Sequence, residues 1–244
     1  MTMTMNIQAP QILSKPRIVV VIPYINEKKN IQQALNGWLN QKYSPFDIVV
    51  VNSSSELFSY NEVNNFTVLT PPPRKYWNPN YARNYGARRT QSDYIVFTTP
   101  NILPSENFLD EVSKYWDNAE LIISESLVNN VPSRPELENL IIIKRWVNSK
   151  LRGFNEEMML NPHGWGYDSL DYIFRTQKFL ASSGGRLQTF PIEKVNILSI
   201  TQEEKLEPYT EKNIENSYKQ HKIFSETYIK KHGVVANKNA DWGN

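Results

Sequence analysis

Two continuous apolar runs near the start of the chain, RIVVVIPY (residues 17–24) and FDIVVVN (residues 46–52), restrict its fold more than any other feature. Runs of this kind, rich in β-branched residues, are typical of strands that are buried on both faces of a sheet. The segment between them predicts a helix, with Asn26 as its N-cap and Glu27 in its first turn. Its apolar residues recur at helical spacing: Ile31, Ala34, Leu35, Trp38 and Leu39. Together the three segments predict a β-α-β unit with parallel strands and a right-handed crossover.

Similar patterns continue along the chain. They predict strands at residues 66–69, 93–98, 120–127, 186–190 and 195–200. They predict helices at residues 78–89, where Pro79 takes the first helical position, and from the cap Ser105 onward. Further helices are expected at residues 135–147, 168–180 and 211–231. This order predicts an α/β domain with a mostly parallel central sheet flanked by helices.

The composition excludes several classes of protein. With no cysteine among 244 residues, the chain has no disulfide framework, thiolate metal site or cysteine nucleophile, in agreement with a cytoplasmic location. The net charge of +2 is spread along the chain and gives no reason to expect a nucleic acid partner. No apolar run approaches the roughly 20 residues that span a bilayer, and residues 1–16 do not have the pattern of a signal peptide. We therefore expect a cytoplasmic protein with no transmembrane segment, and work at a membrane surface stays open.

Sheets of this type bind ligands at the carboxyl ends of their strands, so the residues after each strand are informative. The first strand ends in PYIN (residues 23–26) instead of G-x-G-x-x-G, which argues against a dinucleotide-binding Rossmann domain. The sequence also lacks the G-K-[ST] of a P-loop and the G-x-S-x-G of an α/β-hydrolase. The three histidines, His163, His221 and His232, do not have the spacing of zinc ligands.

Four segments in order resemble the family 2 glycosyltransferases. VVVIPYINEKKNIQQALNGWLNQKY (19–43) with FDIVVVNSSS (46–55) is similar to the family's opening strand, Pro-x-x-Asn-Glu turn, helix and second strand. YARNYGARRTQSDYIVF (81–97) resembles its Ala-Arg-Asn-x-Gly helix and following strand, and NFL (107–109) falls where its next helix begins. GFNEEMML (153–160) and GWGYDSLDYIFR (164–175) resemble the acceptor-side segment of galactosyltransferase-like and chondroitin-polymerase-like members. The resemblance covers residues 17–175.

This resemblance implies a GT-A fold, which binds nucleotide-diphospho-sugars. We expect a flexible tail at residues 1–16, a nucleotide-sugar-binding half at 17–130, an acceptor-side half of the same domain at 131–205, and a C-terminal helix and tail at 206–244. The implied nucleotide-sugar site contains residues from the ends of the first, second and fourth strands and from the Ala-Arg-Asn helix: Pro23, Tyr24, Asn26, Glu27, Asn52, Arg83, Asn84, Thr99 and Asn101.

The sequence departs from the family where a metal ion is normally bound. The Asp-x-Asp motif that holds a divalent cation on the diphosphate is replaced by Thr99-Pro100-Asn101, and the acidic residue after the second strand is replaced by Asn52. Because Mg²⁺ and Mn²⁺ prefer anionic oxygen ligands, we expect no metal site here, with Mn²⁺ or Mg²⁺ binding as the alternative. Lys75, Arg83 and Arg88 are then the candidates for balancing the charge of the leaving group.

On the acceptor side, Asp168 is the candidate general base. Aligned without gaps from Trp165, it falls on the first acidic position of the family's pair, and Ser169 occupies the second. An ordinary helix N-cap is the competing interpretation of Asp168, and Asp171 is the fallback base. Trp165 and Gly166 are expected to bind the acceptor, because a flat apolar ring in a glycine-flanked loop suits a sugar face.

The main hypothesis is a glycosyltransferase that moves a sugar from a UDP- or GDP-sugar to a glycan or a small-molecule acceptor, with inversion and without a tightly bound metal. The alternative is a catalytically silent GT-A domain that binds a nucleotide sugar or a protein partner. The loss of Asp-x-Asp favours this alternative, and the retained acceptor segment opposes it. A nucleotidyltransferase is a third hypothesis, but the chain lacks the expected glycine-rich basic loop.

Overall fold

A computed structural model describes residues 15–26, 28–55, 64–75, 77–127, 138–157, 168–197 and 211–238. The strands in these ranges are β1 (Ile18–Tyr24), β2 (Phe46–Asn52), β3 (Phe66–Leu69), β4 (Tyr94–Phe97), β5 (Ile102–Pro104), β6 (Leu121–Ser124), β7 (Ile141–Lys144), β8 (Leu187–Phe190) and β9 (Val195–Ile197). The α-helices are α1 (Lys28–Leu39), α2 (Pro79–Arg88), α3 (Phe108–Ser113), α4 (Arg145–Leu151), α5 (Asp168–Ser183) and α6 (Glu211–His232).

Seven strands form the central sheet, in the order β3-β2-β1-β4-β7-β6-β8. Strands β3, β2, β1 and β4 are parallel to one another, β7 runs antiparallel to both β4 and β6, and β8 is parallel to β6. Strands β5 and β9 form a separate antiparallel pair. The mixed, mainly parallel α/β architecture confirms the expected fold class.

Both faces of this sheet are covered. In β1, Ile18, Val20 and Ile22 belong to a core cluster with residues of α1 and α3, and Val19 and Val21 belong to another with residues of α2 and α5. Successive side chains of a strand point to opposite faces, so a strand covered on both sides needs apolar residues throughout. This explains why β1 is an uninterrupted apolar run.

The prediction of a helix at residues 135–147 is wrong for residues 141–144 and right only for residues 145–147. Residues 141–144 form strand β7 between β4 and β6, and the helix begins only at Arg145. The short apolar run IIIK suits a buried strand as well as a buried helix, and its neighbours in the sheet decide between them. Strand β5 was also not predicted, because three residues carry too little periodicity.

The predicted cap at Ser105 is wrong, and the cap at Asn26 stays a prediction because Glu27 lies outside the described residues. Helix α1 is described from Lys28, and Asn26 lies before it in a turn with a left-handed backbone (φ +54°), a conformation that asparagine tolerates better than most residues. Helix α3 begins at Phe108 with Asn107 at the cap position, and Ser105 contributes only its backbone carbonyl, which accepts from the Phe108 amide at 3.0 Å. By contrast, the Asn78 side chain caps α2, as residues 78 and 79 predicted, by accepting from the Tyr81 amide at 2.9 Å.

A carboxylate at the start of β6 joins three segments of the sheet. Glu120 accepts from the Lys144 ammonium at 2.9 Å and from the Arg186 backbone amide at 2.6 Å. Burial raises the pKa of Glu120, but the Arg186 amide and the Lys144 charge outweigh this and hold the pKa below its usual value of 4.5. The ionised form is therefore the one that the folded state stabilises.

None of the helices in the described ranges combines the length and the apolar character needed to cross a bilayer. The predicted domain boundaries stay predictions.

Candidate functional site

The carboxyl ends of β1, β2 and β4 lie side by side, and we call this the carboxyl edge of the sheet. Tyr24 pairs with Asn52 at the ends of β1 and β2. Backbone hydrogen bonds continue the alignment past the strands, since the Ser53 amide donates to the Tyr24 carbonyl at 3.0 Å and the Thr98 amide donates to the Val21 carbonyl at 3.2 Å. The structure therefore brings together the three turns that the sequence assigned to the nucleotide-sugar site.

The residues at the end of β1 form the floor of this edge. Pro23 is buried, and Tyr24 is only 2% exposed and packs in the core beside α1. Asn26 is exposed in the left-handed turn that follows, and Glu27 lies outside the described residues. The Tyr24 ring thus supports this edge from within the core, and Asn26 in the following turn is the solvent-accessible residue of this segment.

The turn after β2 is organised by Asn52, which is only 4% exposed. Its side-chain oxygen accepts from the Ser54 amide at 2.9 Å and from the Ser54 hydroxyl at 2.6 Å. This bonding, in which a side chain captures the backbone two residues on, fixes the turn. Asn52 therefore holds the shape of residues 52–54 at the carboxyl edge.

The turn after β4 carries the degenerate metal motif. The side-chain oxygen of Asn101 accepts from the side-chain amide of Asn30 on α1 at 2.8 Å. Thr99 and Asn101 offer only neutral oxygens, and the Asn101 oxygen already serves this hydrogen bond. Within the described ranges, no group of three or more His, Asp or Glu residues is arranged to hold a metal ion. The donor set at this turn therefore does not suit Mg²⁺ or Mn²⁺, which prefer anionic oxygens.

Helix α2 lies unusually close to the sheet, and Gly86 permits this. A Cβ atom at Gly86 would lie 2.7 Å from a methyl carbon of Val21 in β1 and 2.8 Å from one of Val51 in β2. Carbon atoms do not approach so closely without displacing one another. The glycine of the Ala-Arg-Asn-x-Gly segment therefore sets the depth of α2 on the sheet.

Arg83 and Asn84 on α2 are buried, being 2% and 0% exposed, and their described contacts are with the protein. The Asn84 side chain accepts from the Phe154 amide at 2.9 Å and donates to the Phe154 carbonyl at 2.9 Å. The Arg83 guanidinium donates to Asn80 at 3.0 Å and lies 4.9 Å from the centre of the Phe154 ring. These contacts tie α2 to Phe154, and the predicted contact of Arg83 and Asn84 with the nucleotide stays a prediction.

The acceptor-side segment begins with residues 153–156, which we call the 153–156 loop. Helix α4 leads into it through two left-handed residues, Arg152 (φ +56°) and Gly153 (φ +67°). Glu156 in the loop accepts from the Arg74 guanidinium at 2.9 Å and from the Asn84 amide at 3.0 Å. The Ala-Arg-Asn helix and the loop after α4 therefore form one hydrogen-bonded unit.

The same helix is connected to the start of α5, where the candidate base Asp168 is the first residue. Asn139 accepts from the Arg83 guanidinium at 2.7 Å and from the Ser169 hydroxyl at 2.8 Å. Ser169 is fully buried. The residue at the family's second acidic position is thus used to anchor the first turn of α5.

Asp171, the fallback base, lies in the contact between α5 and α6. It is fully buried, and its two oxygens accept from the Arg175 guanidinium at 2.8 Å and the Ser225 hydroxyl at 2.9 Å. A buried carboxylate with both oxygens engaged by the protein is badly placed to take a proton from an acceptor. These contacts favour a structural role for Asp171 and leave Asp168 as the candidate base.

The remaining predicted site residues are two acceptor residues and two basic residues. Trp165 and Gly166 lie outside the described residues. Lys75 is exposed on the connector before α2. Arg88 stands in the last turn of α2, and its predicted role in balancing charge stays a prediction.

The structure also identifies residues that the sequence reasoning missed: Asn30, Asn139, Glu156, Arg175 and Asn237. Each has at least one partner far away in the chain, which local periodicity cannot show, although Arg175 also pairs with Asp171 four residues earlier. Glu156 and Arg175 were inside the quoted acceptor-side segments but had no role assigned to them.

The family model described as "Glycosyl transferase family 2" matches residues 19–169, from the second residue of β1 to the second residue of α5. This chain belongs to glycosyl transferase family 2. The predicted family is confirmed. Among curated relatives, an uncharacterized glycosyltransferase of Rickettsia bellii is 27% identical over 126 residues, or 50% of this chain. The chain spans only 18%, 39% and 31% of the lengths of three such relatives.

Several solved structures of glycosyltransferases share the fold of this family 2 chain. The Pyrobaculum calidifontis mannosyltransferase PcManGT, in complex with GDP-Man and Mn²⁺, has a TM-score of 0.56 at 16% identity, covering 91% of this chain and 72% of its own. S. aureus TarS 1-349 with UDP-GlcNAc has a TM-score of 0.59 at 15% identity, covering 80% and 62%. The catalytic domain of Drosophila β1,4-galactosyltransferase 7 with xylobiose has a TM-score of 0.54 at 13% identity, covering 82% and 79%. At these identities the likeness confirms the GT-A fold.

Proposed function

We propose that this family 2 domain transfers a sugar from a nucleotide-sugar donor to a hydroxyl group of a glycan or small-molecule acceptor. The observation that carries the proposal is the meeting, at the carboxyl edge, of the turns after β1, β2 and β4, next to a helix that also holds the acceptor-side segment. The turns after β1, β2 and β4 are the proposed site of the nucleotide diphosphate, and the acceptor-side segment is the proposed site of the second substrate. UDP- or GDP-sugars are the proposed donors, since similar folds are known with GDP-Man and UDP-GlcNAc.

In the proposed reaction the acceptor oxygen attacks the anomeric carbon of the donor sugar. Its proton passes to the carboxylate of Asp168, and the bond from the anomeric carbon to the diphosphate breaks with its electron pair on the leaving nucleotide diphosphate. A single displacement of this kind inverts the configuration at the anomeric carbon. Ser169, through Asn139, holds the first turn of α5 in place for this step.

The charge that develops on the leaving diphosphate must be balanced without carboxylate-bound metal at residues 99–101. The N-terminus of α1 follows the turn at the end of β1. Helix N-termini attract phosphate groups. We propose that this N-terminus, together with Lys75, replaces the metal ion.

Binding of the nucleotide is the first test. UDP or GDP should raise the melting temperature of the protein by mass action, and ATP and NAD should raise it much less. Transfer and donor hydrolysis are then measured with a panel of UDP- and GDP-sugars and several glycan acceptors. Equal stabilisation by all four nucleotides, or by none, would contradict a nucleotide-sugar site.

A catalytically silent nucleotide-sugar-binding domain is the second candidate. The neutral residues Thr99 and Asn101 in the metal-binding motif favour it. Under this alternative, UDP or GDP binds and stabilises the protein, but no donor is hydrolysed or transferred at any Mn²⁺ or Mg²⁺ concentration. The thermal and the transfer assays therefore separate the two functions.

A further inference from the structure

The end of the described chain, residues 233–238, is built into the acceptor side of the domain. The Ala236 amide donates to the Leu151 carbonyl at the end of α4 at 3.0 Å, and Ala236 is fully buried. The Arg175 guanidinium of α5 donates to the Val234 carbonyl at 3.1 Å and to the Gly153 carbonyl at 2.9 Å. This segment therefore packs directly beside the start of the 153–156 loop.

Asn237 makes the most specific of these contacts. Its side-chain amide donates to the carbonyls of Arg152 at 2.8 Å and Phe154 at 2.6 Å, and its side-chain oxygen accepts from the Glu156 amide at 3.2 Å. One side chain thus binds the backbone at every second residue of the turn, at positions 152, 154 and 156. Asn237 itself has a left-handed backbone (φ +46°), which asparagine tolerates and most other residues do not.

The 153–156 loop is consequently held from two sides. Asn84 on α2 binds both backbone groups of Phe154 from the nucleotide-sugar side, and Asn237 binds the same carbonyl from the C-terminal side. Arg152, just before the loop, and Gly153, its first residue, both have left-handed backbones, so helix α4 does not continue into the loop. Its position relative to the carboxyl edge therefore depends on these side chains.

We propose that residues 234–237 form part of the acceptor site of this domain, with Asn237 as a positioning residue that holds the 153–156 loop for the acceptor. This inference rests on the proposed sugar transfer. Because Asn237 has no described contact with the turns after β1, β2 and β4, its removal should disturb acceptor binding and leave donor binding unchanged.

The experiment compares Asn237→Gly, which keeps the left-handed backbone and removes the three hydrogen bonds, with Lys238→Ala. Lys238 is the exposed neighbour, and in the described contacts it contributes its backbone carbonyl, which the control variant retains. Asn237→Asp is a second variant that keeps the shape and the oxygen acceptor but loses both donated bonds. Thermal melting identifies any variant that fails to fold, and the aspartate variant then takes the place of the glycine variant.

Hydrogen exchange of the amides in residues 153–157 is the first measurement and requires no activity. It should become roughly tenfold faster in Asn237→Gly, the scale of losing one or two net hydrogen bonds, and stay unchanged in Lys238→Ala. The second measurement is the KM for the donor and for the acceptor found in the transfer screen. In Asn237→Gly the acceptor KM should rise roughly tenfold. The donor KM and the rate at which water hydrolyses the donor should stay unchanged.

Unchanged exchange in the 153–156 loop would overturn the role of Asn237. Accelerated exchange with equal increases in both KM values, or with a fall in kcat alone, would overturn its selectivity for the acceptor. A native protein that neither hydrolyses nor transfers any donor would instead refute the proposed function and with it an acceptor role for Asn237, and the exchange measurement would still report on the contacts. The two failures are therefore distinguishable.

Discussion

Replacing Gly86 by alanine tests how helix α2 is held against the sheet. The new Cβ would lie 2.7 Å from a methyl carbon of Val21 and 2.8 Å from one of Val51, and both valines are fully buried. These neighbours are β-branched residues with stiff side chains, so neither can simply rotate away. The helix or the strands must therefore move.

The magnitude follows from two opposing effects. Overpacking a buried site costs about 1–3 kcal/mol, and the stiffness of both valines places this site in the upper half of that range. Alanine is favoured over glycine in a helix by about 1 kcal/mol, so the free energy of unfolding should fall by roughly 1–2 kcal/mol in total. For a protein of this size, that loss lowers the melting temperature by about 2–8 °C.

Gly37→Ala on α1 is the matched control. Its Cβ would lie 2.4 Å from the end of the Leu103 side chain, which is partly exposed and can adopt another rotamer. This variant should therefore stay within about 1 kcal/mol of the native protein, since the helix propensity gain offsets the contact. Urea denaturation of both variants measures the difference. Equal stability of the two, or a more stable Gly86→Ala variant, would refute the argument from close approach.

Three further predictions concern the site and the sheet. Asp168→Asn should lower turnover roughly 10²–10⁴-fold with little change in nucleotide affinity, whereas Asp171→Asn should chiefly lower stability, by about 3–5 kcal/mol, because its buried arginine partner is left unpaired. Any transfer activity should survive a chelator and respond only slightly to added Mn²⁺ or Mg²⁺, since the oxygens of Thr99 and Asn101 are neutral. Because the pKa of Glu120 is lowered on folding, its contribution to stability is present above pH 4.5 and is lost as the pH falls through the folded-state pKa, so Glu120→Gln should weaken the acid dependence of unfolding.

Each of these predictions has a contrary result. Full activity of Asp168→Asn together with a well-folded, inactive Asp171→Asn would move the base to Asp171. Strict dependence of transfer on Mn²⁺ would mean that a metal is held by residues other than the turn after β4. An unchanged acid unfolding profile in Glu120→Gln would show that the Lys144 and Arg186 contacts do not favour the ionised carboxyl.

Much of the fold could be predicted because its signals are local. The apolar runs of β1 and β2, the helix between them and the cap at Asn78 all depend on residues adjacent in the chain. The strand at Ile141–Lys144 could not be predicted in the same way. Three isoleucines followed by a lysine fit a helix or a strand equally, and only hydrogen bonding to β4 and β6 decides between them.

The sequence alone determined the family and the position of the carboxyl edge, because parallel strands end at the same side of a sheet and each motif follows its strand directly. It could not assign roles to Arg83, Asn84 and Asp171, because the sequence does not show whether a polar residue in a motif contacts a ligand or the rest of the protein. What tertiary structure adds is that all three are buried and hydrogen-bonded to residues far away in the chain, which local sequence does not show. The role of Asn237 is likewise set by folding, because its partners at 152–156 lie some eighty positions earlier in the sequence and only packing brings them within hydrogen-bonding distance.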